Sequence, residues 1–295
     1  MAFRNVFLLV LVVPASAGAS DDAMGPYAAG QGGAVSANPR SNDARLYNPA
    51  TSGLSERYDA QVEALAGGRA LGAGFSAVDS HTVPKIALGV GYHYTLTNPP
   101  LTDSELPGWV VDGATPTNHQ RGHDVDLSVA VPLAERKISF GIGGSFQLLK
   151  HERLGSTPDG DVSVGFAARP SESVAFGLTG RDLLPLKSAE HPARVGAGVW
   201  LGGEDLGGFE VDASYRVVDG DGSPLDMAAG FERKFGGAAV FGGWHWDGRY
   251  QWHAASLGAG WHEEGTWLDL AVDVPFDRPF DGRLMVVRLG VRLAG

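Results

Sequence analysis

Lys85-Ile86-Ala87-Leu88-Gly89-Val90-Gly91-Tyr92-His93-Tyr94 decides the fold class, because its bulky apolar residues fall on every second position. Ile86, Leu88, Val90, Tyr92 and Tyr94 share one face of an extended chain, and Lys85, Ala87, Gly89, Gly91 and His93 share the other. A period of two marks a β-strand whose two faces meet different surroundings. The same alternation returns downstream. Asp124, Asp126, Ser128 and Ala130 interleave with Val125, Leu127, Val129 and Val131, and Glu210, Asp212, Ser214 and Arg216 interleave with Phe209, Val211, Ala213, Tyr215 and Val217. Near the C-terminus Arg288 and Arg292 oppose Met285, Val287, Leu289, Val291 and Leu293.

Gly and Pro, at 43 and 17 residues, act as punctuation between these stretches. The signals predict about fourteen strands: 58–66, 69–78, 84–96, 121–132, 138–150, 161–168, 173–182, 193–201, 209–217, 225–235, 238–246, 250–263, 266–274 and 283–294. Most come close to the ~9–11 residues that a tilted membrane-spanning strand needs. Every second connection is short: 133–137, 169–172, 202–208, 236–237 and Gly265. The longer ones, 98–120, 151–160, 183–192 and 218–224, fall in the other set. Short turns at one end and longer loops at the other characterise outer-membrane barrels, and a soluble sandwich has no reason to show them.

The expected architecture is therefore an all-β, antiparallel transmembrane barrel. In hydrocarbon each unpaired N–H or C=O costs several kcal/mol, so a spanning sheet must close on itself. The apolar face then meets outer-membrane lipid, with Tyr92, Tyr94, Trp244, Trp246, Trp252 and Trp261 at strand ends or along that stripe. The inward set is Lys85, Asp124, Asp126, Glu210, Asp212, Arg216, Asp226, Glu232, Asp269, Asp273, Arg288 and Arg292. Both signs are present. These groups either pair across a filled lumen or line a path through it.

Composition narrows the remaining choices. A mean hydropathy of -0.06 over 295 residues leaves no run long enough for a membrane helix. At the front, Arg4, the apolar run Val6–Val13 and Pro14-Ala15-Ser16-Ala17 predict a secretory signal over residues 1–20. An exported chain with no cysteine needs a source of stability other than disulfides, which a closed barrel supplies. A net charge of -11 argues against nucleic acid and against docking on an anionic lipid surface, since both need clustered Lys and Arg.

Enzyme signatures are poor, and no cofactor is expected. Gly-x-Ser-x-Gly is absent, and His151-Glu152 and His262-Glu263 lack the second His of a zincin helix. Gly72-x-Gly74-x-x-Ala77 lies inside a strand pattern, not before a helix. Asp219, Asp221 and Ser223 begin a calcium-loop spacing that Pro224 and Gly230 interrupt. His245 and His253 fall on neighbouring strands, where they could approach one another. A lipid hydrolase built on a lone Ser and His stays open.

Residues 21–57 do not alternate. They are small and polar, run through Gly30-Gln31-Gly32-Gly33 and Asn42-Asp43-Ala44, and close on Leu46-Tyr47-Asn48-Pro49-Ala50 just before the first strand. This N-terminus resembles the outer-membrane fatty-acid transporter superfamily, the FadL type, including its shorter PorV/PorQ-like branch. Phe176-Gly177-Leu178-Thr179-Gly180-Arg181-Asp182, Gly230-Phe231-Glu232 and Gly242-Gly243-Trp244 resemble the shorter branch.

The resemblance implies a fourteen-stranded barrel over 58–295, with 21–57 folded back inside as a hatch or plug. It also implies that Asn48 caps the Tyr47-Asn48-Pro49-Ala50 turn, that Pro49 fixes φ and that Ala50 leaves room for packing. Two functions follow from it: passage of a hydrophobic, fatty-acid-like molecule, or binding of a secreted or surface protein by outer loops such as 98–120. The chain departs from the pattern in its modest length and in ending Leu293-Ala294-Gly295, without a terminal aromatic.

Overall fold

The computed structural model describes residues 25–67, 70–97, 120–151, 155–184, 193–203, 206–217, 223–248, 252–263, 265–276 and 286–294. Fourteen strands close into an antiparallel barrel: β1 Tyr58–Gly67, β2 Ala70–Asp79, β3 Ala87–Thr97, β4 Gln120–Leu133, β5 Ile138–His151, β6 Gly155–Ser171, β7 Val174–Arg181, β8 Arg194–Gly203, β9 Gly207–Arg216, β10 Leu225–Phe235, β11 Ala238–Asp247, β12 Trp252–Glu263, β13 Thr266–Pro275 and β14 Val286–Ala294. Each strand pairs with its sequence neighbours, and β14 returns to β1 through Asp59–Ala294 to Gly67–Val286. No helix of the described residues is long and apolar enough to cross a membrane.

Burial along β4 identifies the solvent that each face was built for. Leu127 is 60% exposed and Val131 45%, whereas Asp126 and Ser128 are each 5% exposed and Ala130 is fully buried. A soluble sandwich would invert this, because burying a Val or Leu side chain is favourable by ~1.5–3 kcal/mol and burying an unpaired carboxylate is costly. The wall turns its grease outward. Rings cluster near both ends of the outer face. Tyr92, Tyr94 and His123 meet at the loop end, as do Trp244, Trp246, His253 and Phe276, and Tyr58, Phe235 and Trp261 are exposed at the turn end.

Three differences from the expected strands have physical causes. Lys85 is not in the lumen: residues 81–86 form an exposed turn closed by Ile86 N donating to Val83 O, so β3 starts at Ala87. Pro84 has no N–H to give a ladder, and the chain turns there instead. β6 starts at Gly155, because 155–160 pairs with 146–151 of β5 although its Gly, Pro and Asp content reads as loop. Pro158 is tolerated because β7 pairs with β6 only from Val164 onward, which leaves that flank of β6 as an edge among the described residues. His245 and His253 alternate onto opposite faces of the wall, since His245 pairs with Ala254 and Trp246 with His253.

The β4–β5 turn carries the other departure. Ala134, Glu135 and Arg136 all adopt positive φ, at 48°, 57° and 63°. Side chains there cost on the order of 1–3 kcal/mol each, and the site must repay it. Arg136 does so by reaching the carbonyls of Ser80 at 2.5 Å and of Gly53, Ser55 and Pro84 at 3.4 Å.

Candidate functional site

Residues 25–57 lie inside the bore, and nearly all of them are buried. Their own regular structure is slight: a five-residue helix α1 Pro26–Gly30, a four-residue helix α2 Ala44–Tyr47 and a 3-10 turn Pro49–Gly53. Helices this short do not hold themselves in water, so the wall must fix them. It does so through glycines, carboxylates and a few cations.

The glycines come first, because they decide how near the inner chain can approach. On the inward faces of β7, β6, β5, β10 and β11, an added Cβ at Gly177 would overlap the Ser36 carbonyl. One at Gly165 would overlap the Asn48 amide, one at Gly141 the Ala50 nitrogen, and at Gly230 and Gly243 it would meet the Gln31 backbone. Main chain therefore lies directly on main chain. Gly32, at φ +66°, makes the bend that follows α1 and sits against the Trp244 backbone.

Carboxylates then take the inner chain's orphan amides. Asp212 accepts from Val35 N and Ser36 N at 2.9 Å and from the Ser36 hydroxyl at 2.7 Å, and Glu210 accepts from Ala37 N at 2.6 Å. Tyr27 donates to Glu232 at 3.1 Å and lies edge-on to Phe241 at 5.4 Å. Arg45 pairs with Asp126. Arg57 lies 3.1 Å from Asp59 and donates to the Pro39 and Ser41 carbonyls at 3.1 and 2.9 Å; Arg292 bonds the same Asp59 at 2.6 Å. Burial lowers both Arg45 and Arg57 to about 10, so both stay cationic at neutral pH.

Asn48 links the inner chain to itself and to the wall. Its Oδ1 accepts from Ala50 N at 3.1 Å, and its Nδ2 donates to Ser36 O at 3.0 Å and Phe166 O at 3.1 Å. Pro49 occupies the first position of the 3-10 turn, where a missing N–H costs nothing. Ala50 is fully buried, and Tyr47 lends its carbonyl to the Thr179 hydroxyl at 2.8 Å.

Of the inward charges expected from sequence, Asp126, Glu210, Asp212 and Glu232 touch residues 25–57, and Arg292 reaches them through Asp59. Arg216 binds Asp226 and Asp247 nearer the loop end. Asp269 meets His262 at 2.7 Å, Asp273 accepts from Ser256 at 2.7 Å, and Asp124 is likewise engaged. Lys85 lies outside the bore, and the side chain of Arg288 falls outside the described residues, as do 1–24, 98–119, Asp219 and Asp221. Sequence reasoning missed Asp43, Arg45, Arg57, Asp59, Glu63, His93 and Arg136. Asp59, Gln61 and Glu63 alternate with apolar residues in β1 and could have been read from that pattern. Among the described residues no group of three or more His, Asp or Glu is placed to hold a metal.

No family model and no curated protein sequence matches the chain. Solved structures do. The toluene transporter TodX of Pseudomonas putida superposes with a TM-score of 0.62 at 10% identity, covering 96% of this chain and 98% of that one. It shares the TodX fold. A FadL homologue of Pseudomonas aeruginosa gives 0.61 at 11%, covering 92% and 97%, and the toluene transporter TbuX of Ralstonia pickettii gives 0.56 at 14%, covering 92% and 96%. The likeness extends over nearly the whole of each chain, so it is one of architecture from end to end.

Proposed function

We propose that the protein is a bacterial outer-membrane channel of the FadL type, non-enzymatic, which admits a hydrophobic small molecule past its N-terminal segment. One observation carries the reading: a closed fourteen-strand barrel, greasy outside, has its bore filled by residues 25–57 in a fold shared with hydrocarbon transporters. A bore filled in this way conducts only when part of the filling moves, and polar clasps on a glycine-smooth wall are suited to partial release. The test pairs two measurements on purified, refolded protein: binding of a fluorescent fatty acid in mild detergent, and bilayer conductance before and after deletion of residues 25–57. Binding together with raised conductance is expected. Failure of both overturns the proposal.

A second reading, a barrel that binds a secreted or surface protein, is favoured by the wall itself. β4, β5 and β6, at 14, 14 and 17 residues, outrun their 8-residue neighbour β7 and form a raised lip. The inward residues toward the loop end, among them Arg181, Arg194, Arg216, Asp226, His245 and Asp247, are polar where a hydrocarbon pocket would be apolar. Pull-down from the native envelope separates the two readings: a stoichiometric protein partner lost on excising 98–119 supports the second.

A further inference from the structure

The outer face of the raised lip changes character in an ordered way. Across β3, β4 and β5 the outward rows run Val90–Leu127–Gly144, then Tyr92–Val125–Phe146, then Tyr94–His123–Leu148, and finally Leu96–Arg121–Lys150 beside Ser156 of β6. Grease gives way to a two-row aromatic band, across which the Tyr92 hydroxyl meets His123 Nδ1 at 2.9 Å, and that band gives way to two cations.

The heights fit a membrane. From Leu133 at the turn end of β4 to His123 is ten residues, which at ~3.4 Å each and a tilt of about 40° is about 25 Å, the height of an outer-membrane apolar band. Arg121 is two residues further, at headgroup depth, and Lys150 is likewise twelve residues above Ile138 of β5.

Arg121 and Lys150 face each other directly in register, and both are exposed. Like charges directly opposite destabilise a sheet. Among the described residues neither has an acidic partner, in a chain whose net charge is -11. Two cations opposed on one face favour an anion between them, and the apolar stripe beneath favours acyl chains.

We propose that Arg121 and Lys150, with the Ser156 hydroxyl beside them, bind the phosphate of an anionic lipid headgroup in the outer leaflet, its chains lying on Tyr92, Phe146 and Leu148. The site rests on the membrane reading of the barrel. It is compatible with the overall negative charge because it is local: two residues 29 apart in sequence (150 − 121) are brought together by strand register alone.

Native mass spectrometry of the folded protein in mild detergent, doped with lipid A or with phosphatidylcholine, tests it. One retained lipid A is expected on the wild type, with retention falling about tenfold or more in R121Q/K150Q but not in the charge-matched K137Q/R233Q at the other end. Retention should survive excess inorganic phosphate, because the acyl chains contribute to binding. Equal lipid A on both double variants overturns the site, and displacement by phosphate overturns the lipid as its ligand. A chain that stays soluble without detergent overturns the barrel's membrane placement instead, and is read before any lipid is added.

Discussion

Asp212 holds Ser36 twice, at its backbone amide and at its hydroxyl, and takes the Val35 amide with the same carboxylate. A side chain on the ninth strand thus replaces the hydrogen bonds that a short inner segment cannot make for itself. Replacing Asp212 with Ala strands two buried amides, at roughly 1–3 kcal/mol each. The 31–38 stretch should leave the wall, and single-channel recordings of D212A should show openings that the parent lacks. Silent recordings from folded D212A would remove this clasp from the account.

Glycine size offers a test that leaves every polar group in place. G177V drives a side chain into the Ser36 carbonyl and should loosen the inner segment, read as new protease sensitivity within 30–40. Gly180 is the matched control. An added Cβ there would meet Leu183 and Val164 only at ordinary contact distance, so G180V should keep the protected pattern.

Asp43 predicts a dependence on pH. Burial, and next the nearby Glu63 charge, raise its carboxyl to about 6 from a usual 3.8, with Arg45, His93 and Arg292 opposing the shift. Folding therefore takes up a proton. The stabilisation is complete below about 4 and is lost as pH rises through about 6. Melting in detergent should fall between pH 5 and pH 8 by roughly 2–4 °C for each kcal/mol lost, and D43N should flatten that slope.

The exposed apolar stripe can be tested at its middle, where the proposed membrane placement puts lipid. L127R places a guanidinium on the outer face of β4 and should cost roughly 2–4 kcal/mol when the chain folds into bilayers. On a water-facing strand the same exposed position would tolerate the change within about 0.5 kcal/mol. Urea titrations of refolding into vesicles read the difference.

Alternation was enough to place fourteen strands, because a wall with an apolar exposed face and a packed bore sorts residues at every second step, as Leu127 and Asp126 show. It failed where that sorting lapses. Among the described residues Gly155–Gly160 pairs on one flank only and carries no apolar stripe, and Lys85 extends the period of two into a turn that Pro84 sets. Residues 25–57 have no period at all. Their path is imposed by Gly177, Glu210, Asp212 and Asn48, and nothing local in Gly30-Gln31-Gly32-Gly33 announces which carboxylate receives which amide. The inward charges were legible as a set, while their partners were not, because those partners are backbone groups or lie on distant strands.

The Tyr27–Glu232 bond joins residues 205 positions apart. Nearly every grip on the inner segment is made by sequence that is translated after it, and its wall exists only once β14 has met β1. The earliest part of the described chain therefore has its partners in the later strands. Contacts of such long separation make for slow maturation, because the Val35, Ser36 and Ala37 amides meet Asp212 and Glu210 only when β9 is in the wall.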